Sequence, residues 1–259
     1  MIDYWLGLSE PAILLTLTLF YAATAALIIW SVFFSPWSAA MRGLTGVVAP
    51  YFSSTAVLFA LLTGFLASDV GLRNRMAWQA IVAESGAAST LEALSRASGS
   101  ELAGVRNALQ TYLATVINDE LPLMAKEQTS DKTSEALAAL LRAIAAPAVG
   151  AQAGAPVQNL LLATAARISS SRSDRLALAS DQTSQFKWLT VLSLGVLTQI
   201  ALALVHLERL RAHIAAQTVF SVAAIVVLTL LAIQEQPFSG VMQVSAEPMQ
   251  HALQAMAKG

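Results

Sequence analysis

Residues 11–41 read PAILLTLTLFYAATAALIIWSVFFSPWSAAM, and none of these 31 side chains is charged. At 1.5 Å per residue, a helix of this length exceeds the roughly 30 Å of a bilayer's hydrocarbon core. A charged side chain at the membrane centre costs about 2.5–3.5 kcal/mol, so a long run without charge predicts a span. No Lys or Arg precedes the run, and it is much longer than the apolar part of a secretory signal. The stretch is therefore predicted to be a transmembrane helix.

Three further charge-free runs follow, of 26 residues at 43–68, 18 residues at 188–205 and 21 residues at 214–234. The composition agrees, because 12% of the chain is Asp, Glu, Lys or Arg, against about 25% in soluble domains, and 56% is hydrophobic. A lipid bilayer is therefore the first predicted partner. The four spans are predicted near residues 11–34, 46–67, 188–206 and 214–234.

The stretch between the second and third spans, 69–187, holds eleven acidic and eleven basic residues and has helical periodicity. Apolar side chains recur three and four residues apart, which predicts two amphipathic helices. A third helix is predicted from Ser134 to a stop at Pro147, then a connector over 148–155 and a fourth helix from Pro156. The residues predicted to be buried are Leu91, Leu94, Leu109, Tyr112, Val116, Leu137, Leu140, Leu141 and Leu160.

The predicted fold is an all-α membrane protein with two transmembrane helical hairpins separated by a four-helix soluble insert. No stretch shows the alternation of a strand. The tail could fold back on the membrane or on a neighbouring subunit, or it could simply end in a helix over 248–257. The predicted domains are a first hairpin at 1–68, the insert at 69–187, a second hairpin at 188–235 and the tail at 236–259.

Charge and motif content exclude several function classes. Fifteen basic and sixteen acidic residues offer no basic field for nucleic acid, and without Cys there are no disulfides or thiolate sites. No catalytic motif is present, and His206 and His213 around Glu208 are better explained as interfacial residues than as a metal site. We therefore predict no enzyme, no metal and no cofactor. The spans contain no Asp, Glu, Lys or Arg, which disfavours a proton-driven transporter.

One face of the second span is the candidate pore lining. It combines bulky aromatic rings with hydroxyls, a composition suited to a hydrophobic constriction. A stripe that packs against other helices would have the same spacing. If the stripe lines a pore, Phe59→Ala should increase conductance. The candidate pore-lining residues are Phe52, Thr55, Ala56, Phe59, Thr63 and Leu66.

The tail contains the most specific motif, Pro237-Phe238-Ser239-Gly240, followed by 244–248, VSAEP. Weaker motifs are 73–77, RNRMA; Tyr112 with 119–122, DELP; and Arg175-Leu176. With these motifs the chain resembles the prokaryotic bestrophin-like domain family of four-span membrane proteins. Leu121 stands where the family usually has Trp.

The resemblance implies an oligomeric channel. Bestrophins are pentameric anion channels in which the second span lines a pore with a hydrophobic neck, and a cytosolic helical region follows that span. By this analogy the chain would form a homo-oligomer that conducts small inorganic ions, with Phe52 and Phe59 at the neck. The alternative is a non-conducting membrane module whose helical insert senses or binds a partner.

The predicted location is the cell inner membrane, with several passes. Basic residues in short loops mark the cytoplasmic side, and Arg42, Arg209 and Arg211 lie in the two hairpin turns. This count places the insert outside the cytoplasm. The basic residues at the insert's ends favour the opposite side, as does the family resemblance.

Overall fold

The computed structural model describes residues 2–44, 49–98, 102–125, 128–180, 185–239 and 243–257. Throughout these ranges the chain forms helices, turns and short connections, with no strand, so the predicted all-α class is confirmed there. The α-helices are α1 Ile2–Leu6, α2 Glu10–Phe33, α3 Ser38–Arg42, α4 Ala49–Ala97, α5 Ala103–Thr115, α6 Leu121–Met124, α7 Asp131–Ala145, α8 Pro147–Ala153, α9 Ala155–Ser180, α10 Gln185–Val205, α11 Leu210–Ile233 and α12 Glu247–Ala257. A π-helical turn, Val116–Glu120, joins α5 to α6.

Four of the described helices are long and apolar enough to cross a membrane: α2, α10, α11 and the apolar part of α4. They coincide with the four charge-free runs of the sequence. Partition of a charged side chain into hydrocarbon is a local cost, so the positions of candidate spans can be predicted without tertiary information.

Local sequence sets several helix ends. Ser130 caps α7, since its hydroxyl accepts a hydrogen bond from the Thr133 backbone N–H at 3.2 Å. Ala146 has φ −59° and ψ 133°, the extended geometry favoured before proline, so α7 stops there and Pro147 begins α8. Gly154 has φ +85°, a left-handed conformation that glycine adopts without strain, and it separates α8 from α9.

The chain divides into two compact units, of which the first contains Met1–Gly71 and Thr183–Glu235. In this unit α2 packs against α10 and α11. Its apolar core includes Tyr21, Leu66, Trp188 and Leu228, all fully or almost fully buried. The ring of Trp5 meets the ring of Trp188 edge to face at 5.4 Å.

The second unit contains Leu72–Gln182 and Gln236–Gly259. Within it α5 packs against α7 and α12, and α7 packs against α9. The apolar core draws on each of these helices and on the C-terminal half of α4; Leu91, Leu109, Leu140, Leu161 and Met249 are completely buried.

Three features of this unit differ from the sequence-based expectations. The first insert helix is not separate, because α4 runs unbroken from Ala49 to Ala97; charges after residue 68 end the apolar run but do not break a helix. The expected connector over 148–155 is largely the short helix α8, as its alanines favour helix. Leu160 is exposed and its neighbour Leu161 is buried, so the prediction of a buried Leu160 is wrong.

Candidate functional site

The spans of the first unit are joined by a polar network centred on Gln199. Its side-chain amide donates to the Tyr21 carbonyl at 3.2 Å and to the Ser221 hydroxyl at 2.9 Å, and it accepts from the Thr24 hydroxyl at 2.7 Å. The side-chain amide of Gln217 donates to the Gln199 carbonyl at 2.7 Å. These contacts join α2, α10 and α11 and are the helix–helix hydrogen bonds expected of polar groups within spans.

The candidate pore stripe on α4 lies on the face that packs within the first unit. Thr63 and Leu66 are buried, while Phe52, Thr55, Ala56 and Phe59 are half-buried. The ring of Phe59 contacts the ring of Phe220 on α11, with 5.5 Å between centroids. The stripe therefore packs inside the unit, as its spacing equally allowed, and its role in a pore stays a prediction.

The opposite face of the same helix segment is exposed. Val57, Leu61 and Phe65 follow one another at four-residue spacing and are 64%, 50% and 60% exposed. Side chains four residues apart share a helix face, so these three form one apolar column. This column could not be predicted from the sequence, because an apolar span does not show which of its faces is packed.

The second unit contains a buried network of charged side chains from α4, α9 and the π-helical turn. Arg175 donates to both carboxylate oxygens of Glu84, at 2.8 and 3.1 Å, and to Glu120 at 2.7 Å. Arg172 donates to both carboxylate oxygens of Glu120, the closest contact being 2.5 Å. Glu84, Glu120 and Arg175 are completely inaccessible to solvent.

Neutral groups complete the network. The Tyr112 hydroxyl donates to Glu84 at 2.5 Å, Arg172 donates to the Ser134 hydroxyl at 3.0 Å, and Arg175 contacts the Met124 sulfur at 2.8 Å. Two carboxylates thus balance two guanidinium groups, as burial of charge requires.

Tyr112 and Arg175 keep the protonated forms that their hydrogen bonds to the carboxylates require. Burial raises the pKa of the Tyr112 hydroxyl well above its usual range, and the Glu84 carboxylate raises it further. For Arg175, burial acts to lower the pKa, but the charges of Glu84 and Glu120 outweigh it and the pKa is raised. Tyr112 therefore remains a donor and Arg175 a cation across the neutral range.

A family model for the bestrophin-like domain matches residues 19–249. The chain belongs to the bestrophin-like domain family. A bacterial bestrophin homologue from Klebsiella pneumoniae, crystallised as a point mutant, has a similar structure with a TM-score of 0.71 at 15% sequence identity, covering 95% of this chain and 99% of that chain.

The structure of a Klebsiella pneumoniae homologue phased by Zn-SAD gives a TM-score of 0.70 at 15% identity, over 94% of this chain and 98% of that one. A further crystal structure, described as a membrane protein, gives 0.72 at 15% identity over the same shares. At these identities the likeness establishes a shared fold. No curated protein matches the sequence.

Two of the weaker motifs that carried the family resemblance meet in the buried network. Tyr112 and Glu120 belong to one of them and Arg175 to the other, and the structure brings their side chains into one hydrogen-bonded cluster. In this bestrophin-like chain these two motifs therefore mark a structural centre of the second unit. Glu84 and Arg172 were missed as members. Their signal was a charge on the apolar stripe of a helix, where burial demands a partner.

The C-terminal motif of the bestrophin-like chain also packs in the second unit. Pro237 and Phe238 are buried, and the Ser239 hydroxyl donates to the Gln236 side chain at 2.5 Å. The Val244 backbone N–H donates to the Pro237 carbonyl at 2.7 Å. Gly240, the last residue of the predicted motif, lies outside the described residues. The role of this motif as a functional site stays a prediction.

The charged side chains of the network neutralise one another. Both carboxylates of the network are held by guanidinium groups. Within the described ranges, no three His, Asp or Glu side chains come together as a possible metal site. The His213 ring nitrogen Nδ1 lies 3.2 Å from the His206 carbonyl, a contact within the second hairpin turn.

Proposed function

We propose that the chain forms a homo-oligomeric ion channel of the cell inner membrane, in which the second span lines the pore. The channel conducts anions in preference to cations. Membership of the bestrophin-like family and a fold shared with bacterial bestrophin homologues support this proposal. The observation that carries it furthest is the exposed apolar column of α4, formed by Val57, Leu61 and Phe65.

A side chain that lines a pore on an oligomer axis has to lie exposed on the surface of its own protomer. The column does so, whereas Thr63 and Leu66 are buried inside the first unit. Bulky apolar side chains without charge are also the material of hydrophobic constrictions that open by wetting. The pore is therefore assigned to the column, and the packed stripe around Phe59 is the competing assignment.

The wider organisation belongs to the same proposal. It comprises two transmembrane hairpins separated by a helical insert, as the sequence pattern predicts, and a pentameric assembly, as the resemblance implies. We place the insert on the cytoplasmic side. Basic residues at its two ends favour that side, as does the family resemblance, against the smaller count in the hairpin turns. Those residues are Arg73, Arg75, Arg172, Arg175 and Lys187.

The orientation has a direct test. The chain has no Cys, so Arg142→Cys provides one exposed thiol on α7. In intact cells a membrane-impermeant maleimide should leave it unlabelled until the membrane is permeabilised. Labelling in intact cells would place the insert outside the cytoplasm, as the loop count predicted.

The conduction test uses purified protein in liposomes loaded with a halide-sensitive dye. Wild-type protein should carry chloride at a rate well above that of protein-free vesicles, with potassium flux measured in parallel. An intact oligomer that carries neither ion would contradict the channel and favour the non-conducting module.

A further inference from the structure

The second unit exposes an unusual concentration of large apolar side chains on one short stretch of α4. Of the large apolar residues exposed among the described part of this unit, all except Leu160 lie between residues 72 and 82. Leu72, Met76, Trp78 and Val82 are 56%, 44%, 42% and 43% exposed. Exposed apolar clusters of this kind mark interaction surfaces.

The stretch has two different faces. Arg75, Trp78 and Val82 share one side of the helix by their spacing and form a ridge. On another side, Met76, Gln79, Ala80 and Ala83 face α9 across a groove of about 490 Å³. The α9 side of the groove is lined by Ser171, Asp174, Ala177 and Leu178.

The ridge and the groove carry opposite, unpaired charges. Arg75 on the ridge and Asp174 in the groove are both exposed, and neither forms a hydrogen bond or ion pair with any described residue. The small side chains of three alanines leave room in the groove for side chains of another surface, and buried Leu178 makes its floor apolar. A ridge with a cation and apolar side chains therefore complements a groove with an anion and an apolar floor.

We propose that the ridge of one copy docks into the groove of the next copy, so that Arg75 pairs with Asp174 across a subunit interface. This inference rests on the proposed homo-oligomer and gives it a contact surface. Two different patches of one chain that complement each other produce a head-to-tail interface, which closes into a ring when the rotation between copies permits. Trp78 and Arg75 belong to the residue types enriched at the centres of such interfaces.

Cross-linking between differently tagged chains tests the contact. One chain carries Arg75→Cys and the other Asp174→Cys, and the absence of native Cys removes any background. Co-expressed and treated with a short bismaleimide, they should give a dimer that bears both tags. Pairing Asp174→Cys with Arg142→Cys, on the exposed side of α7, is the matched control and should give none.

Charge exchange provides the second arm. Arg75→Glu or Asp174→Arg alone should lower the oligomer fraction in light scattering, and the two together should restore it. A missing mixed dimer from an intact oligomer overturns the inference. So does a cross-link that forms only when one chain carries both cysteines.

Trp78→Cys labelled with a fluorophore provides a further outcome. If lipid-borne quenchers quench the fluorophore and no mixed dimer forms, the stretch lies at the bilayer surface, and the inference is overturned. Conduction is measured separately. A mixed dimer from protein that carries no ion supports the contact while contradicting the channel, and flux without a mixed dimer does the reverse.

Discussion

At the scale of single residues, Arg175 is the centre of the buried charged network in the second unit. It is completely buried and holds two carboxylates, Glu84 and Glu120, that would otherwise be uncompensated. A buried ion pair adds little net stability relative to apolar residues of the same volume, but removal of one partner leaves a charge without compensation. The network therefore affects the stability of the protein mainly because removal of any one member is strongly destabilising.

Arg175→Met should destabilise the protein by about 3–5 kcal/mol, the usual cost of breaking a buried ion pair from one side. Arg175→Lys should recover little, because an ammonium group cannot make the two parallel hydrogen bonds to Glu84. The measurement is thermal unfolding in detergent. Arg142→Met is the control, since exposed Arg142 bonds, among the described residues, only to the Ala138 carbonyl of its own helix. Equal melting temperatures for wild type and Arg175→Met would contradict this account.

Tyr112 makes stability depend on pH on the alkaline side. Its folded pKa lies well above the ordinary value of 10.0, so above that value the unfolded chain loses a proton that the folded chain keeps. Stability is therefore fully present below pH 10 and is lost as pH rises towards the folded pKa, by at most about 1.4 kcal/mol per unit.

Tyr112→Phe should remove this loss along with the hydrogen bond to Glu84. We expect the variant to be less stable than wild type by about 1.5–3 kcal/mol at pH 8, with a smaller difference at pH 11. Unfolding of both proteins at the two pH values measures this. A difference that grows with pH would have the wrong sign.

At the scale of elements, the sequence predicted helices and spans better than it predicted which faces pack. On α4 the apolar residues at three- and four-residue spacing are only partly packed: Ala80 and Leu91 are buried, but Met76 and Ala83 are exposed. The packed face also contains Glu84, whose burial is possible because Arg175, 91 residues later in the sequence, pairs with it. A local pattern carries no information about such a partner.

The π-helical turn is a second feature that local pattern could not predict. In a π-helix the backbone hydrogen bonds join residues five apart, whereas in an α-helix they join residues four apart. The turn Val116–Glu120 therefore shifts the following residues around the helix axis. Glu120, at its end, is the residue that reaches both Arg172 and Arg175. The motif segments could be recognised in the sequence, but their convergence on one cluster could not.

Two leucines separate the buried and exposed faces of these helices. Leu109→Ala on α5 removes a completely buried side chain and should cost about 2–5 kcal/mol, whereas Leu160→Ala on α9 removes an exposed one and should cost much less. Thermal unfolding of the two variants in the same detergent compares them. Comparable losses would mean that the face assigned to α9 is wrong.

Gly195 tests the packing of α2 against α10. A Cβ at this position would overlap the Tyr21 hydroxyl and lie 3.1 Å from its ring carbon Cζ. Gly195→Ala should therefore lower the melting temperature, as overpacking typically costs about 1–3 kcal/mol. Tyr21→Phe removes the overlapping oxygen, which has no hydrogen-bond partner among the described atoms, and should restore part of the loss. If Tyr21→Phe does not restore stability to Gly195→Ala, the loss arises from a contact other than the Tyr21 hydroxyl.

At the scale of the whole molecule, the family and the four candidate spans could be predicted from sequence, because both depend on local composition and short motifs. The surface available to other copies could not. Val57, Leu61 and Phe65 have the same apolar character as the residues of the packed stripe, and only the tertiary structure shows which set reaches the surface. The assignment of the pore to the exposed column depends on that distinction.

The most direct test of the channel compares two phenylalanines on opposite faces of one helix, by halide flux in liposomes from oligomers of matched size. Phe65→Ala shortens a side chain of the exposed column and should increase flux over wild type, since a wider constriction wets more readily. Phe59→Ala removes the contact with Phe220 and should lower thermal stability while leaving flux close to wild type. Increased flux from Phe59→Ala together with unchanged flux from Phe65→Ala would contradict the account and assign the pore to the packed stripe.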